Sequence, residues 1–108
     1  MINPFSKLGI SDDVVNAVKD LGFENPTPIQ EQSIPVLLEG VNDFVGLAQT
    51  GTGKTAAFGL PLLELVDFKS NKPQALILCP TRELCLQITN DIKNFSKNTQ
   101  NAHVVAVY

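Results

Sequence analysis

A glycine-rich segment that ends in lysine and threonine carries the strongest chemical signal in this sequence. The segment AQTGTGKT, residues 48–55, lies between a short apolar run and a helical pattern. Phosphate groups need several converging hydrogen-bond donors, and Gly51 and Gly53 allow the backbone to turn tightly and direct its N–H groups inward. The helix that follows adds the positive end of its dipole. We therefore predict a nucleoside triphosphate site, in which Lys54 reaches the β- and γ-phosphates and the Thr55 hydroxyl binds Mg²⁺.

Two features of the sequence limit this interpretation. The first position of the general phosphate-loop pattern is glycine, whereas this sequence has Ala48 there. The alternative is an ordinary glycine-containing turn whose lysine is solvated. Hydrolysis also normally needs an acidic residue at the end of another strand, and the runs QALILC (74–79) and HVVAVY (103–108) end without Asp or Glu. We therefore expect these residues to bind phosphate without completing hydrolysis on their own.

Strand and helix patterns alternate along the chain and would position this segment. Apolar runs at 43–48, 74–79 and 103–108 predict strands that are buried on both faces. Alternation of strands and helices with short loops is typical of an α/β fold with a parallel sheet and flanking helices. Four helices are expected. The first two run from the N-cap Ser11 to Gly22 and from the N-cap Thr27, with a T-x-x-Q capping box, to Gly40. The other two run from about Lys54 to Val66 and onward from the N-cap Thr81.

Length, charge and cysteine content exclude several classes of protein. The chain has 108 residues, 8 basic and 11 acidic, and a net charge of −3. This size fits one small domain or part of a larger one, and the charge argues against a generic basic nucleic-acid patch. Its start lacks a secretory signal, and no apolar run approaches the ~20 residues that cross a bilayer. Cys79 and Cys85 lack the spacing of a zinc site. We therefore expect a soluble cytoplasmic protein without a membrane partner. Because the sequence stops within an apolar run, we also expect it to be a piece of a longer chain.

Three segments, in this order, resemble the DEAD-box ATP-dependent RNA helicases. Phe5 followed by GFENPTPIQ (22–30) looks like the adenine-recognising Q motif of that family. AQTGTGKT matches its motif I, including the alanine at the first position, and PTREL (80–84) resembles motif Ia. Cys85 is a departure, because the family usually has alanine at this position.

The resemblance implies a fold and a division of the chain. It implies a RecA-like P-loop NTPase fold, in which residues 1–108 form the N-terminal part of helicase domain 1. Residues 1–40 would then be the adenine-recognition region, and residues 41–108 would be the phosphate-loop and motif Ia βαβ region.

The resemblance also implies roles for individual residues in binding ATP and Mg²⁺. Gln30 would hydrogen-bond the adenine edge, Thr27 would support the same loop, and Phe5 would stack on the base. The alternatives are that Thr27 and Gln30 only cap a helix and that Phe5 packs in the core. The motif I residues implied to contact the nucleotide are Ala48, Gln49, Thr50, Gly51, Thr52, Gly53, Lys54 and Thr55. Lys54 and Thr55 are also the implied catalytic residues, and Thr55 is the implied Mg²⁺ ligand.

Pro80, Thr81 and Arg82 would, by the same resemblance, contact the phosphate backbone of RNA with little sequence preference. The alternative for these residues is a capped helix start with a solvated arginine. The implied function is ATP-dependent unwinding of RNA by the complete protein. A nucleotide-binding module without hydrolysis is the main alternative. A different P-loop enzyme, such as a small-molecule kinase, would account for AQTGTGKT alone.

Overall fold

The computed structural model describes residues 3–40, 43–47 and 53–108, and the regular structure within them is helical. The helices are α1 (Pro4–Lys7), α2 (Asp12–Asp20), α3 (Pro28–Glu39), α4 (Lys54–Leu65) and α5 (Arg82–Phe95). The four predicted helices are confirmed to within two residues at their ends. The short helix α1 was not predicted, and it begins where Asn3 Oδ1 accepts a hydrogen bond from the Phe5 N–H at 2.8 Å.

Local sequence signals set most of the helix ends. Thr81 Oγ1 accepts a hydrogen bond from the Leu84 N–H at 3.1 Å, as expected of an N-cap residue. Gly40 follows α3 in the left-handed conformation, with φ of 69°. Ser11 precedes α2 in an extended conformation, but its hydroxyl makes no capping bond and instead donates to Glu64 Oε1 of α4 at 2.8 Å. The N-terminus of α2 is therefore stabilised by Glu64, a residue of another helix.

The segments predicted as strands are not paired in the part of the chain that the structure describes. Residues 43–47, 74–79 and 103–108 are assigned no β-strand, and no backbone hydrogen bond joins one of them to another. The prediction of strands at these positions is therefore wrong for the described residues. The physical reason is that a strand exists only through hydrogen bonds to a neighbouring strand, whatever its own apolar pattern.

Burial nevertheless alternates along the two later segments. Ile77 and Val104 pack against the helical core, whereas their neighbours in sequence are exposed. A period of two is that of extended backbone with one covered face. The predicted burial on both faces is thus not seen in the described residues. The exposed apolar side chains are Leu76, Leu78, Val105 and Val107, each at least 77% exposed.

The core lies between the helices and includes Phe5, Val18 and Leu60, all of them 0% exposed. Gly59 of α4 faces α5, and a Cβ at this position would make ordinary van der Waals contacts of 3.6 Å with Ile92 Cγ1 and the Phe95 ring. Within residues 3–40 and 53–108, none of the helices combines the length and the apolar content needed to cross a membrane.

Helices α3 and α4 run in the same direction, and their first turns lie side by side. Gln30 of α3 is hydrogen-bonded to Gly53, which immediately precedes α4. One turn further along each helix, the Ser33 hydroxyl donates to the Ala57 carbonyl at 3.2 Å. From the first contact to the second, the residue number rises in both helices, so the helices are parallel. Their N-termini, with the positive dipole ends, therefore lie near one another.

Candidate nucleotide-binding site

The side chain of Gln30 joins the start of α3 to the start of α4. Its Oε1 accepts a hydrogen bond from the Thr27 N–H at 3.0 Å, and its Nε2 donates to the Gly53 carbonyl at 3.1 Å. Gln30 is only 1% exposed. A carboxamide has two N–H donors and two acceptor lone pairs, so one of each is left for another partner. Gln30 thus links the predicted adenine loop to the end of the predicted phosphate loop.

Thr27 and Gln30 form the predicted capping box at the start of α3. The Thr27 N–H donates to Gln30 Oε1 at 3.0 Å, and the Thr27 side chain faces the Gln30 N–H in the reciprocal half of the box. The Thr27 hydroxyl is buried, and within residues 3–40, 43–47 and 53–108 no group reaches it with ideal hydrogen-bond geometry. Capping alone thus accounts for the contact between these two residues.

Both the backbone conformation at residue 53 and the closeness of the Gln30 side chain favour glycine at this position. It is the N-cap residue of α4 and has a positive φ of 81°. A Cβ at this position would collide with Gln30 Nε2. Only glycine combines this conformation with such a close approach. The sequence pattern predicted the tight turn, whereas the approach of Gln30 is visible only in the structure.

The start of α4 carries positive charge that no acidic residue offsets locally. Its first turn contains Lys54 and no Asp or Glu. The helices α2, α3 and α5 each have an acidic residue in the first turn. Lys54 is exposed and Thr55 is half-buried. The first N–H groups of a helix have no partner within the helix, and together with the lysine and the threonine hydroxyl they form a donor set that fits a polyphosphate with its Mg²⁺ ion.

The remaining motif I residues lie outside the described residues. These are Ala48, Gln49, Thr50, Gly51 and Thr52. The preceding segment, residues 43–47, approaches α3, because a Cβ on Gly46 would lie 3.3 Å from Ile29 Cδ1. The chain therefore enters the phosphate-loop segment beside the start of α3.

Phe5 lies in the core instead of at this site. It is 0% exposed, and its ring centroid is 6.4 Å from that of Phe23. Stacking on a base needs an accessible ring face, so this position does not agree with the predicted stacking on adenine. It agrees with the alternative of core packing. Phe5 therefore contributes to the hydrophobic core, where its ring packs near Phe23.

The three residues predicted to contact RNA lie at the start of α5. Pro80, Thr81 and Arg82 are all exposed. The guanidinium carbon of Arg82 lies 4.3 Å from the centroid of the Tyr108 ring, which is within the range of a cation–π interaction. Sequence reasoning assigned no role to Tyr108, because nothing in the sequence indicates which distant ring an arginine will meet.

Two cysteines flank the same segment. Cys79 and Cys85 are free and half-buried. Partial burial raises the pKa of the Cys79 thiol, and the charge and hydrogen bonding of the neighbouring Cys85 thiol raise this pKa further. The two thiols are therefore neighbours across the turn that leads into α5.

The structure brings some of the predicted residues together and keeps others apart. Thr27, Gln30 and Gly53 form one hydrogen-bonded group that leads directly into Lys54 and Thr55. The start of α5 is a separate location, and no hydrogen bond or ion pair within the described residues joins it to this group.

Comparison with known proteins decides the family. The model of the family described as DEAD/DEAH box helicase matches residues 27–108. The chain belongs to the DEAD/DEAH box helicase family. It is 51% identical over 104 residues to the ATP-dependent RNA helicase CshA of Listeria monocytogenes and 49% identical over 104 residues to the ATP-dependent RNA helicase DeaD of Escherichia coli strain K12. Each alignment covers 96% of this chain but only 20% or 16% of the relative. The chain therefore spans about a fifth or less of the length of these helicases.

Solved structures of DEAD-box proteins have the same fold over this region. Saccharomyces cerevisiae Dbp5, bound to RNA and ADP BeF3, matches with a TM-score of 0.86 at 34% identity, over 92% of this chain and 26% of that chain. A DEAD box protein from Methanococcus jannaschii matches with a TM-score of 0.81 at 44% identity, over 85% of this chain and 25% of that chain. These neighbours confirm the predicted fold class, the first portion of a RecA-like domain, although the described residues of this chain form its helices without paired strands.

Proposed function

We propose that this chain is the nucleotide-binding N-terminal part of an ATP-dependent RNA helicase, and that it binds ATP with Mg²⁺ where α3 and α4 begin. The observation that carries the proposal is the hydrogen-bonded group of Thr27, Gln30 and Gly53, placed between two parallel helix starts and followed by Lys54. The names of the helicases CshA and DeaD, to which the chain is similar, support the choice of ATP.

Each residue of this site has a distinct part in holding the nucleotide. Lys54 and the first N–H groups of α4 bind the phosphates, since they supply positive charge and donors where no acidic residue competes. Gln30 reads the adenine edge through the amide hydrogen and the lone pair that its two protein contacts leave; because this side chain is only 1% exposed, the nucleotide must displace neighbouring residues to reach it. Thr55 holds Mg²⁺ through its hydroxyl. A bound Mg²⁺ ion supplies charge neutralisation of the phosphates.

RNA binds at the start of α5 in this proposal. Thr81 and Arg82 are exposed, the helix start offers N–H groups, and the guanidinium offers a fork of donors for phosphate oxygens. Contacts to phosphate carry no direct information about base sequence, so little sequence preference is expected. Hydrolysis coupled to strand separation is the proposed activity of the complete protein. The sparse cysteine content supports a cytoplasmic location for it.

Equilibrium binding of ATP and GTP, measured by calorimetry in the presence of Mg²⁺, tests the proposal. The chain is expected to bind ATP more tightly than GTP, and Lys54→Ala is expected to weaken ATP binding by about tenfold or more, since a charged hydrogen bond to phosphate is lost. Lys19→Ala is the matched control, because Lys19 is an exposed lysine in the last turn of α2. Undiminished ATP binding by a folded Lys54→Ala variant would contradict the assignment of the phosphate site.

A further inference from the structure

The contact between Arg82 and Tyr108 joins two separate elements of the chain. Arg82 is the first residue of α5, whose start is fixed by the Thr81 cap. Tyr108 follows an extended segment that is anchored to the core through Val104. The guanidinium carbon lies 4.3 Å from the ring centroid, and Tyr108 is still 69% exposed. Both partners are therefore at the surface, beside the proposed RNA site.

The ring is the partner that orients Arg82 in the described part of the chain. The one ion pair found there joins Lys97 and Asp20, so no carboxylate holds the guanidinium. The neighbouring Glu83 lies in the first turn of α5 and forms no ion pair with Arg82 in the described residues. An arginine side chain has many rotamers, and stacking on an aromatic ring restricts them.

Stacking leaves the hydrogen-bonding capacity of the guanidinium available. The guanidinium carbon lies over the ring, and the group has five N–H donors, so a contact with one ring leaves donors available for other partners. A stacked Arg82 can therefore donate to phosphate oxygens without giving up its contact with Tyr108. An arginine that is already held in place loses less conformational entropy when it binds.

We propose that Tyr108 is a positioning residue for RNA binding, which holds Arg82 in the conformation that binds a backbone phosphate next to the start of α5. This inference rests on the proposed RNA-binding function of Pro80, Thr81 and Arg82. It adds a residue outside the motif to that site and assigns it a specific role.

The contact itself can be measured without RNA. The chain has one tyrosine and no tryptophan, so its tyrosine emission reports on Tyr108 alone. In Arg82→Leu, quenching of this emission by acrylamide is expected to increase by at most about 1.4-fold, because one ring face loses its cover but Tyr108 is already 69% exposed. Lys93→Leu, in the last turn of the same helix, is the matched control and should leave quenching unchanged. Equal quenching in Arg82→Leu and the parent chain would overturn the contact and with it the proposal.

Binding of a single-stranded uridine oligonucleotide to the complete protein that contains this chain tests the role. Tyr108→Leu is expected to raise the RNA concentration needed for half-maximal binding by roughly 3- to 10-fold, the range of a cation–π contact of moderate strength. Tyr108→Phe keeps the ring and should restore parental binding. Adding Tyr108→Leu to Arg82→Leu should cause no further loss, because the ring acts through the arginine.

The outcomes separate the inference from the function on which it rests. Parental affinity in Tyr108→Leu, with RNA binding that still depends on Arg82, would overturn the positioning role and leave the proposed function standing. Failure of Tyr108→Phe to restore binding would assign the effect to the hydroxyl and would also overturn the role of the ring. Absence of RNA binding by the parent protein would overturn both proposals.

Discussion

A single carboxamide, that of Gln30, has contacts in both halves of the proposed nucleotide site, at Thr27 and at Gly53. Replacing Gln30 with alanine removes a hydrogen bond from the Thr27 N–H and another to the Gly53 carbonyl. We expect Gln30→Ala to lose the preference for ATP over GTP and to lower the free energy of unfolding by ~1–3 kcal/mol, because buried polar groups lose their partners. The measurements are the ratio of the two dissociation constants and urea denaturation.

Gln32→Ala is the matched control for this experiment, because Gln32 lies on the same helix and is exposed. It should change neither the nucleotide preference nor the stability by a measurable amount. Retention of the ATP preference in Gln30→Ala would exclude Gln30 as the base-reading residue. Unchanged stability would mean that the bond to Gly53 contributes little to the fold.

The raised pKa of the Cys79 thiol predicts slow alkylation. Less thiolate is present at a given pH, so iodoacetamide should modify Cys79 more slowly in the folded chain than in urea at mildly alkaline pH. The folded state binds this proton more tightly than the unfolded state. The resulting stabilisation is therefore present below the ordinary pKa of a thiol and is lost as the pH rises through the raised pKa.

Cys85→Ala tests the cause of that shift. It removes the neighbouring thiol, so the pKa of Cys79 should fall toward its ordinary value and alkylation should become faster. Mass spectrometry of the modified chain over a series of pH values follows the reaction at each cysteine. An unchanged rate profile in Cys85→Ala would assign the shift to burial alone.

Individual site residues were predictable to the extent that their role is local in sequence. Thr27, Gln30 and Gly53 are identified by capping chemistry and by a tight turn, which depend on neighbours within a few positions. The contact of Arg82 with Tyr108 and that of Ser11 with Glu64 join distant parts of the chain, and no spacing rule indicates them. The burial of Phe5 likewise depends on packing that only the folded chain defines.

At the level of elements, α2 and α4 are joined by an unexpected cap. Glu64 Oε1 accepts hydrogen bonds from the Ser11 N–H at 2.9 Å and from the Ser11 hydroxyl at 2.8 Å. Glu64→Ala is expected to destabilise the chain by ~1 kcal/mol, since a negative charge and an acceptor near a helix N-terminus are lost. Urea denaturation measures the change, and Glu24→Ala at an exposed loop position should leave the transition midpoint unchanged. Equal midpoints for both variants would show that the cap adds nothing to stability.

The helices were predictable and the strands were not, for one physical reason. A helix satisfies its own backbone hydrogen bonds, so caps such as Thr81 and breakers such as Gly40 define it from within the segment. An extended segment depends on a partner that the segment itself does not encode. Residues 74–79 therefore keep the alternating burial of a strand without the pairing of one.

At the scale of the whole molecule, apolar side chains on the extended segments are unusually exposed. Leu78 is 84% exposed and Val107 is 85% exposed. Exposed apolar surface favours association, so we expect the apparent mass of the 108-residue chain in sedimentation equilibrium to rise with concentration. The double variant Leu78→Lys with Val107→Lys should remain closer to the monomer mass, because a charge at each position opposes burial.

A charge-matched control separates this effect from a change in net charge. Asn94→Lys combined with Gln87→Lys adds the same charge at exposed positions of α5 and should associate as the parent does. Equal association of the parent and the Leu78→Lys with Val107→Lys variant would show that these segments are not the associating surface. The order of the three sequence motifs was sufficient to predict the family and the fold class, whereas this exposed surface required the structure.

The hydrogen bond from Gln30 to the Gly53 carbonyl has a thermodynamic consequence. One amide is shared between Gln30, the proposed base-reading residue, and Gly53, at the end of the proposed phosphate loop. A base that alters this amide alters the energy of the loop, and by linkage phosphates bound at the loop alter the affinity for the base to the same degree. The binding free energies of adenosine and of pyrophosphate should then not sum to that of ATP. Binding of the base would in this way change the free energy of the phosphate loop before any phosphate bond is broken.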